Sequence, residues 1–217
     1  MKINQTKQKY CENGEKLNRK KRKSIRNRKK IKESGLDVFA EKGLHETKIE
    51  DITETADLGK GTFYSHFDSK EILFTELLED SIQKLIDLIK TCCKQNNAQN
   101  LKGVLEGLLD AHFKFFKDDY ENFILIFQGQ GILNLQKENE HEILEPIMQY
   151  IKEIENCLHP YRLDVSSDKL RKLACAVAGF ITGYFTFVSI GLSEEERGDI
   201  ALKQSFLDAL STFLHEI

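Results

Sequence analysis

The chain has 217 residues, 40% hydrophobic and 31% charged, with only two prolines, Pro146 and Pro160. Strict alternation of apolar and polar residues is hard to find, so β architectures are set aside and an all-α fold is expected. The formal net charge of −3 conceals an asymmetry: residues 1–33 hold fourteen Lys/Arg against Glu12, Glu15 and Glu33, a net of +11, which leaves −14 for the rest. A basic head on an acidic body suits a partner that is a polyanion, nucleic acid or acidic membrane; the alternative is a merely solvated tail. Cys11, Cys92, Cys93, Cys157 and Cys175 are odd in number and lack a CxxC spacing, which reads as a reduced, cytoplasmic thiol set. The first residues are charged and polar, without the apolar core of a secretory leader.

Residues 1–23 offer little to bury and are expected to form a flexible basic arm. From Ser24 the pattern becomes helical. Ile31, Gly35, Val38 and Phe39 form one stripe of a helix that ends at Gly43, where glycine supplies a left-handed cap. Thr47 and Glu50 then have the spacing of a capping box, behind which Ile49, Ile52, Thr53 and Ala56 share a face. Asp57 to Gly59 stop that helix, since Asp tolerates left-handed backbone angles and Gly is permissive. Two short helices joined by so tight a turn form a helix-turn-helix pattern.

The second of these is the segment that carries chemistry. Phe63 and Phe67, four apart, face inward and anchor a helix too short to stand alone. Lys60, Thr62, Tyr64, Ser65 and His66 remain outward, a set of hydrogen-bond donors near the helix start, and small Gly61 lets the backbone come close to a partner. Phosphate oxygens and base edges in a major groove call for this combination. A turn between core helices and a catalytic cluster around His66 are the competing readings; no Cys, Ser or carboxylate set accompanies His66 at a useful spacing.

The stretch VFAEKGLHETKIEDITETADLGKGTFYSHFDSKEILFTEL, Val38 to Leu77, resembles the N-terminal pattern of the TetR family of bacterial transcriptional regulators. Phe39, Gly43, Thr47, Ile52, Ala56, Lys60, Gly61, Tyr64, Phe67 and Lys70 carry the likeness. Gly35 and Thr53 depart from it where Ala is usual, and Asp57 stands where Gly is usual in the turn. The resemblance implies that Thr62, Tyr64 and His66 contact phosphates or bases and that Lys60 opens the recognition helix. It also implies that Thr47 and Lys48 clamp backbone phosphate at the preceding helix start, with Lys70 doing so on the other flank. The domains expected are the arm at 1–23, a DNA-binding domain at 24–70 and an effector and dimerisation domain at 71–217, with about nine helices in all.

Beyond Lys70 the sequence reads as one long helix to Lys94, with Ile72, Leu73, Leu77, Ser81, Leu85 and Leu88 inward. Another amphipathic helix follows from Leu101 to Phe116, then a segment from Tyr120 that Gly129 and Gly131 are expected to break. A helix from about Glu138 to Leu158 is expected to be interrupted at Pro146. Phe113, Phe116, Phe123, Phe127, Met148, Phe180 and Tyr184 supply much aromatic and soft apolar volume, so they are candidate walls of an apolar effector pocket. His112, Gln128 and Cys175 are its candidate polar features, and plain core packing is the alternative for every one of these residues.

Leu173 to Leu192 runs twenty residues without a charge, close to a membrane span in length, yet it contains Gly179, Gly183 and Gly191 and no convincing aromatic or basic belts. A helix covered by protein on every side explains it better. The resemblance places the last two helices, here about 167–191 and 199–215, at a homodimer interface, with Ala176, Gly179, Gly183, Phe187, Phe206 and Leu210 as its candidate residues. No metal ligand set or cofactor is expected, since the histidines never fall at ligand spacing with each other or with Cys.

What the resemblance implies is a non-enzymatic, cytoplasmic, nucleoid-associated regulator, a repressor released from a pseudo-palindromic operator by a small apolar or amphipathic effector. The alternatives are an effector-independent structural or division-linked DNA-binding factor on the same fold, and a helical enzyme or peripheral membrane protein that uses the basic arm on acidic lipid.

Overall fold

The computed structural model describes residues 18–95, 100–132, 140–161, 166–191, 204, 207–209 and 212, and among them every regular element is helical. The helices are α1 (Arg19–Glu46), α2 (Ile49–Thr55), α3 (Lys60–Tyr64), α4 (Lys70–Gln95), α5 (Leu101–Asp118), α6 (Tyr120–Ile132), α7 (Glu140–Leu158) and α8 (Ser167–Gly191), with a 3-10 turn at His159–Tyr161. The chain divides into two compact units, Met1–Phe74 and Thr75–Ile217.

In the first unit, α1 starts earlier than its apolar stripe announces. Asn18 caps it, its side-chain oxygen accepting from the Lys21 N–H at 2.8 Å, so residues 19–23, expected in the arm, are helical. Ile31, Gly35, Val38 and Phe39 are all buried, and the chain kinks at Gly43, whose φ of +76° lies in the left-handed region.

The expected capping box shifts by one residue. Thr47 closes α1 instead of opening α2: its N–H and its hydroxyl both donate to the Gly43 carbonyl, at 3.2 and 2.6 Å. The α2 cap is therefore Lys48, whose backbone N–H donates to the Asp51 carboxylate at 2.8 Å and holds that carboxyl below the usual range. Behind this cap Ile52, Thr53 and Ala56 are buried and Ile49 half-buried. Asp57 takes the turn at φ +54°, where an Asp side chain is tolerated. Phe63 and Phe67 are buried with ring centroids 5.8 Å apart, and the Arg28 guanidinium lies 4.7 Å over the Phe67 ring. The first turn of α4 completes this core, Phe74 meeting Phe39 edge-on at 5.3 Å.

In the second unit, α4 buries Leu77, Leu78, Ser81, Ile82, Leu85, Ile86 and Ile89. Leu73 is buried as expected, but Ile72 is exposed and Leu88 only half-buried. The buried face centres on Phe74, and Ile72 lies roughly 200° around the helix from it. Neither glycine breaks α6. Gly129 is buried inside it, where an added Cβ would come within 2.8 Å of the Leu78 side chain, so the residue permits a close helix approach. Pro146 likewise sits inside α7, buried, without ending it. α7 packs along α8, whose bounds are those expected. No helix among the described residues is long and apolar enough to cross a membrane.

Candidate nucleic-acid interface

α3 is only five residues long, and two things hold it: the burial of Phe63 below it and the Gly59 carbonyl, which accepts from the N–H groups of Thr62 and Phe63. Its other face is open. Lys60, Gly61, Tyr64 and Ser65 are exposed, while Thr62 and His66 are half-buried. Tyr64 leaves 54% of its surface uncovered although its ring touches Phe63 edge-on. A Cβ at Gly61 would meet nothing within 4 Å, so nothing inside this unit demands a glycine there.

The charges around α3 are arranged rather than scattered. The Lys60 ammonium pairs with the Glu50 carboxylate across the α2–α3 turn, and that hydrogen bond holds the Glu50 carboxyl below its ordinary range. Both partners are solvent-exposed, so the pair adds little stability and gives way readily to a stronger anion. Lys48 is exposed at the start of α2. Lys42 bridges to Asp51 at 3.0 Å. Along the opening turns of α1, Arg19, Arg22, Lys23 and Arg26 line a shallow, exposed basic groove. Helical order makes these cations a regular array, a feature the sequence signals only through Asn18.

Two residues expected to grip phosphate have their donors engaged inside the unit. Thr47 is almost fully buried, with its hydroxyl on the Gly43 carbonyl. The Lys70 ammonium donates to the carbonyls of Leu44, His45 and Thr47 at 2.8, 3.1 and 2.7 Å, closing the C-terminus of α1.

The residues read as an effector pocket separate into two groups. His112, Phe113, Phe116, Phe123 and Tyr184 converge on Phe185, which is buried and lies 4.9 to 6.5 Å, centroid to centroid, from each of them. Phe185 was missed by the sequence reading, although Ala178, Ile181 and Phe185 recur at helical spacing on α8. His112 has its Nδ1 2.7 Å from the Leu108 carbonyl and its Nε2 2.8 Å from the Tyr150 hydroxyl. The carbonyl can only accept, so Nδ1 carries the proton and Tyr150 donates to Nε2. Burial pushes His112 down to about 4, against a raising effect of the Leu108 bond, and pushes Tyr150 up. Phe127, Met148, Cys175 and Phe180 are exposed and stand apart from that convergence, with Gln128 half-buried.

On α8, Ala176 and Gly183 are half-buried and Gly179 is exposed, and a Cβ at either glycine would meet nothing within 4 Å. Phe187 lies in α8, its side chain outside what is described; Phe206 and Leu210 lie outside the described residues. Among the described residues no group of His, Cys, Asp and Glu could hold a metal ion.

A short donor-bearing helix, fixed by a tight turn onto the preceding one in a three-helix unit, defines a helix-turn-helix protein. The profile of the family described as "Bacterial regulatory proteins, tetR family" matches residues 31–77, so the likeness to that family is carried by this N-terminal helix-turn-helix segment. It is 28% identical over 127 residues to the uncharacterized HTH-type transcriptional regulator YvdT of Bacillus subtilis, covering 58% of this chain and 64% of that one. It is also 28% identical over 131 residues to IcaR of Staphylococcus epidermidis, a negative transcriptional regulator of the biofilm operon icaADBC, covering 60% of this chain and 64% of the relative. The chain thus spans about half to just under two-thirds of the length of the first curated relatives it matches. Among solved structures, FadR from Bacillus subtilis in complex with stearoyl-CoA shares the fold with a TM-score of 0.69 at 20% identity, over 84% of this chain and 96% of that one.

Proposed function

We propose that this protein is a sequence-specific transcriptional regulator that lays α3 in the major groove of double-stranded operator DNA. The observation that carries the reading is Tyr64, an aromatic donor more than half exposed on a helix whose apolar face is fully anchored, beside Lys60 and an unobstructed Gly61. Lys48 and the basic groove of α1 supply phosphate contacts, so affinity falls steeply with salt. A homodimer supplies the second α3, through the strip of Ala176, Gly179 and Gly183, and the operator is then pseudo-palindromic with half-sites about 34–36 Å apart or a multiple. Such a regulator works at the nucleoid in the cytoplasm.

Repression, and release by a small apolar or amphipathic effector, are supported by the negative regulation named for IcaR and the acyl-CoA bound to FadR. An effector acts only through its differential affinity for the DNA-competent and DNA-incompetent arrangements. A second reading, regulation without an effector, is favoured by Phe185, which fills the centre of the aromatic cluster.

The test is a gel shift on genomic fragments selected by binding. Tyr64→Ala is expected to lose at least tenfold in affinity for a selected fragment while the dimer and the helical spectrum persist; unchanged affinity overturns the assignment of α3. Adding long-chain acyl-CoA to the bound complex separates the two regulatory readings, release supporting the first.

A further inference from the structure

In the second unit, α4 and α7 run side by side in the same direction. Ile86 and Lys90 on one helix face Gln149 and Glu153 on the other across an open groove, and Lys90 Nζ lies 3.8 Å from the Glu153 carboxylate. Three residues beyond Lys90 comes Cys93; four beyond Glu153 comes Cys157. Helical spacing puts both one turn past the ion pair, on the facing sides of the two helices. There the thiols are in hydrogen-bond contact, both half-buried and both reduced.

A third helix holds this pair in place. Gly107 of α5 is buried against Cys93 so closely that a Cβ there would lie 2.9 Å from the Cys93 Cα and 3.2 Å from its Sγ. The Cys93 sulfur is therefore backed by α5 and turned towards Cys157. The two sulfurs also differ. Cys93 donates the hydrogen bond, which together with burial raises its pKa, whereas Cys157 accepts it and is lowered, helped by the Lys90 charge and opposed by burial and Glu153. With one side of the Cys93 sulfur covered by Gly107 of α5, Cys157 is the sulfur of the pair placed to attack first, and the lowered direction of its pKa agrees. Cys92 is buried beside Cys93, and Cys175 is exposed on a different helix, α8.

We propose that Cys93 and Cys157 form an oxidative modification site, a dithiol that hydroperoxides convert to an intramolecular disulfide joining α4 to α7. The Cys157 thiolate attacks a peroxide oxygen, the O–O bond breaks, and the departing alkoxide or hydroxide takes a proton to leave as alcohol or water. Cys157 is now a sulfenic acid. Cys93 sulfur attacks the Cys157 sulfur, the S–O bond breaks, and the hydroxide leaves with the Cys93 proton as water. Two thiols have lost two electrons and two protons, and one peroxide has been reduced to alcohol or water plus a further water. Closure requires the sulfurs to approach to about 2.05 Å from hydrogen-bond contact.

The test uses the full chain, reduced and then treated with a small excess of hydrogen peroxide, read by intact mass and by peptide mapping without reductant. The expected result is a loss of two hydrogens, a linked Cys93–Cys157 peptide pair in the monomeric chain, and reversal by dithiothreitol. In Cys93→Ser the sulfenic acid at Cys157 persists and is trapped by dimedone, whereas Cys157→Ser slows peroxide consumption by about tenfold or more. The proposal is overturned if Cys175 is oxidised while Cys93 and Cys157 keep their thiols, or if every disulfide found links two chains. The unmodified chain decides the matter by itself should either serine variant fail to fold, and no readout depends on DNA.

Discussion

Replacing Lys70 by Met separates two roles for the same ammonium. In the structure it donates to the carbonyls of Leu44, His45 and Thr47, all within 3.1 Å. Hydrogen bonds from a charged donor each net about 1.5–3 kcal/mol, so three full bonds would sum to well over 4 kcal/mol. The His45 contact is exposed, however, and water replaces it; the other two carbonyls are only partly buried and keep some access to solvent. Met preserves the apolar stem and its packing. The expected loss is therefore about 2 kcal/mol, which urea unfolding followed by circular dichroism would register as a midpoint lower by about 1 M. Lys48→Met is the companion, because α2 is capped by the Lys48 backbone and not by its side chain. It is expected to leave the stability within about 0.5 kcal/mol of wild type and to lower the slope of log affinity against log salt by about one. If Lys70→Met keeps the wild-type midpoint and instead lowers the salt slope by one, the ammonium belongs on phosphate and the capping argument is wrong.

Two further outcomes follow from the second unit. His112 is buried neutral with its pKa depressed to about 4, so the unfolded chain takes up a proton near pH 6.5 while the folded chain does not. Stability is intact above that pH and falls as pH drops from about 6.5 to 4, by up to about 3 kcal/mol. His112→Gln is expected to flatten this limb between pH 6.5 and 5, above most carboxylate titration, and parallel curves for the two proteins would exclude His112 as its source. Gly107→Ala, which in an open helix would gain about 1 kcal/mol, is expected instead to lose about 1–2 kcal/mol by urea titration, because the new Cβ meets Cys93 backbone and not a movable side-chain tip. A gain in midpoint would mean that α5 lies farther from α4 than the structure places it.

Much of the DNA-binding unit is legible in the chain as written. The stripe from Ile31 to Phe39, the reversal at Gly43, the positive φ at Asp57 and the inward pair Phe63 and Phe67 all appear where side-chain periodicity and backbone permissiveness put them. Those properties belong to a residue and its neighbours within a turn or two. Even the missed start of α1 had a local signal, a capping Asn at position 18.

What tertiary structure alone decided involves partners far apart in sequence. Thr47 is the exception, a local contact that the spacing left open: the kink at Gly43 brings the carbonyl four residues back within reach and makes Thr47 the closing residue of α1. Lys70 found its acceptors 23 to 26 residues away. The aromatic residues of α5, α6 and α8 could be recognised as apolar, yet only packing chose Phe185 as their centre and left Phe127, Met148 and Phe180 on the surface. The Cys93–Cys157 contact depends on two helices running in one direction, with the Lys90–Glu153 ion pair one turn before it. Local composition determines which helices form and which face is apolar; which donor meets which acceptor is a property of how the helices are brought together.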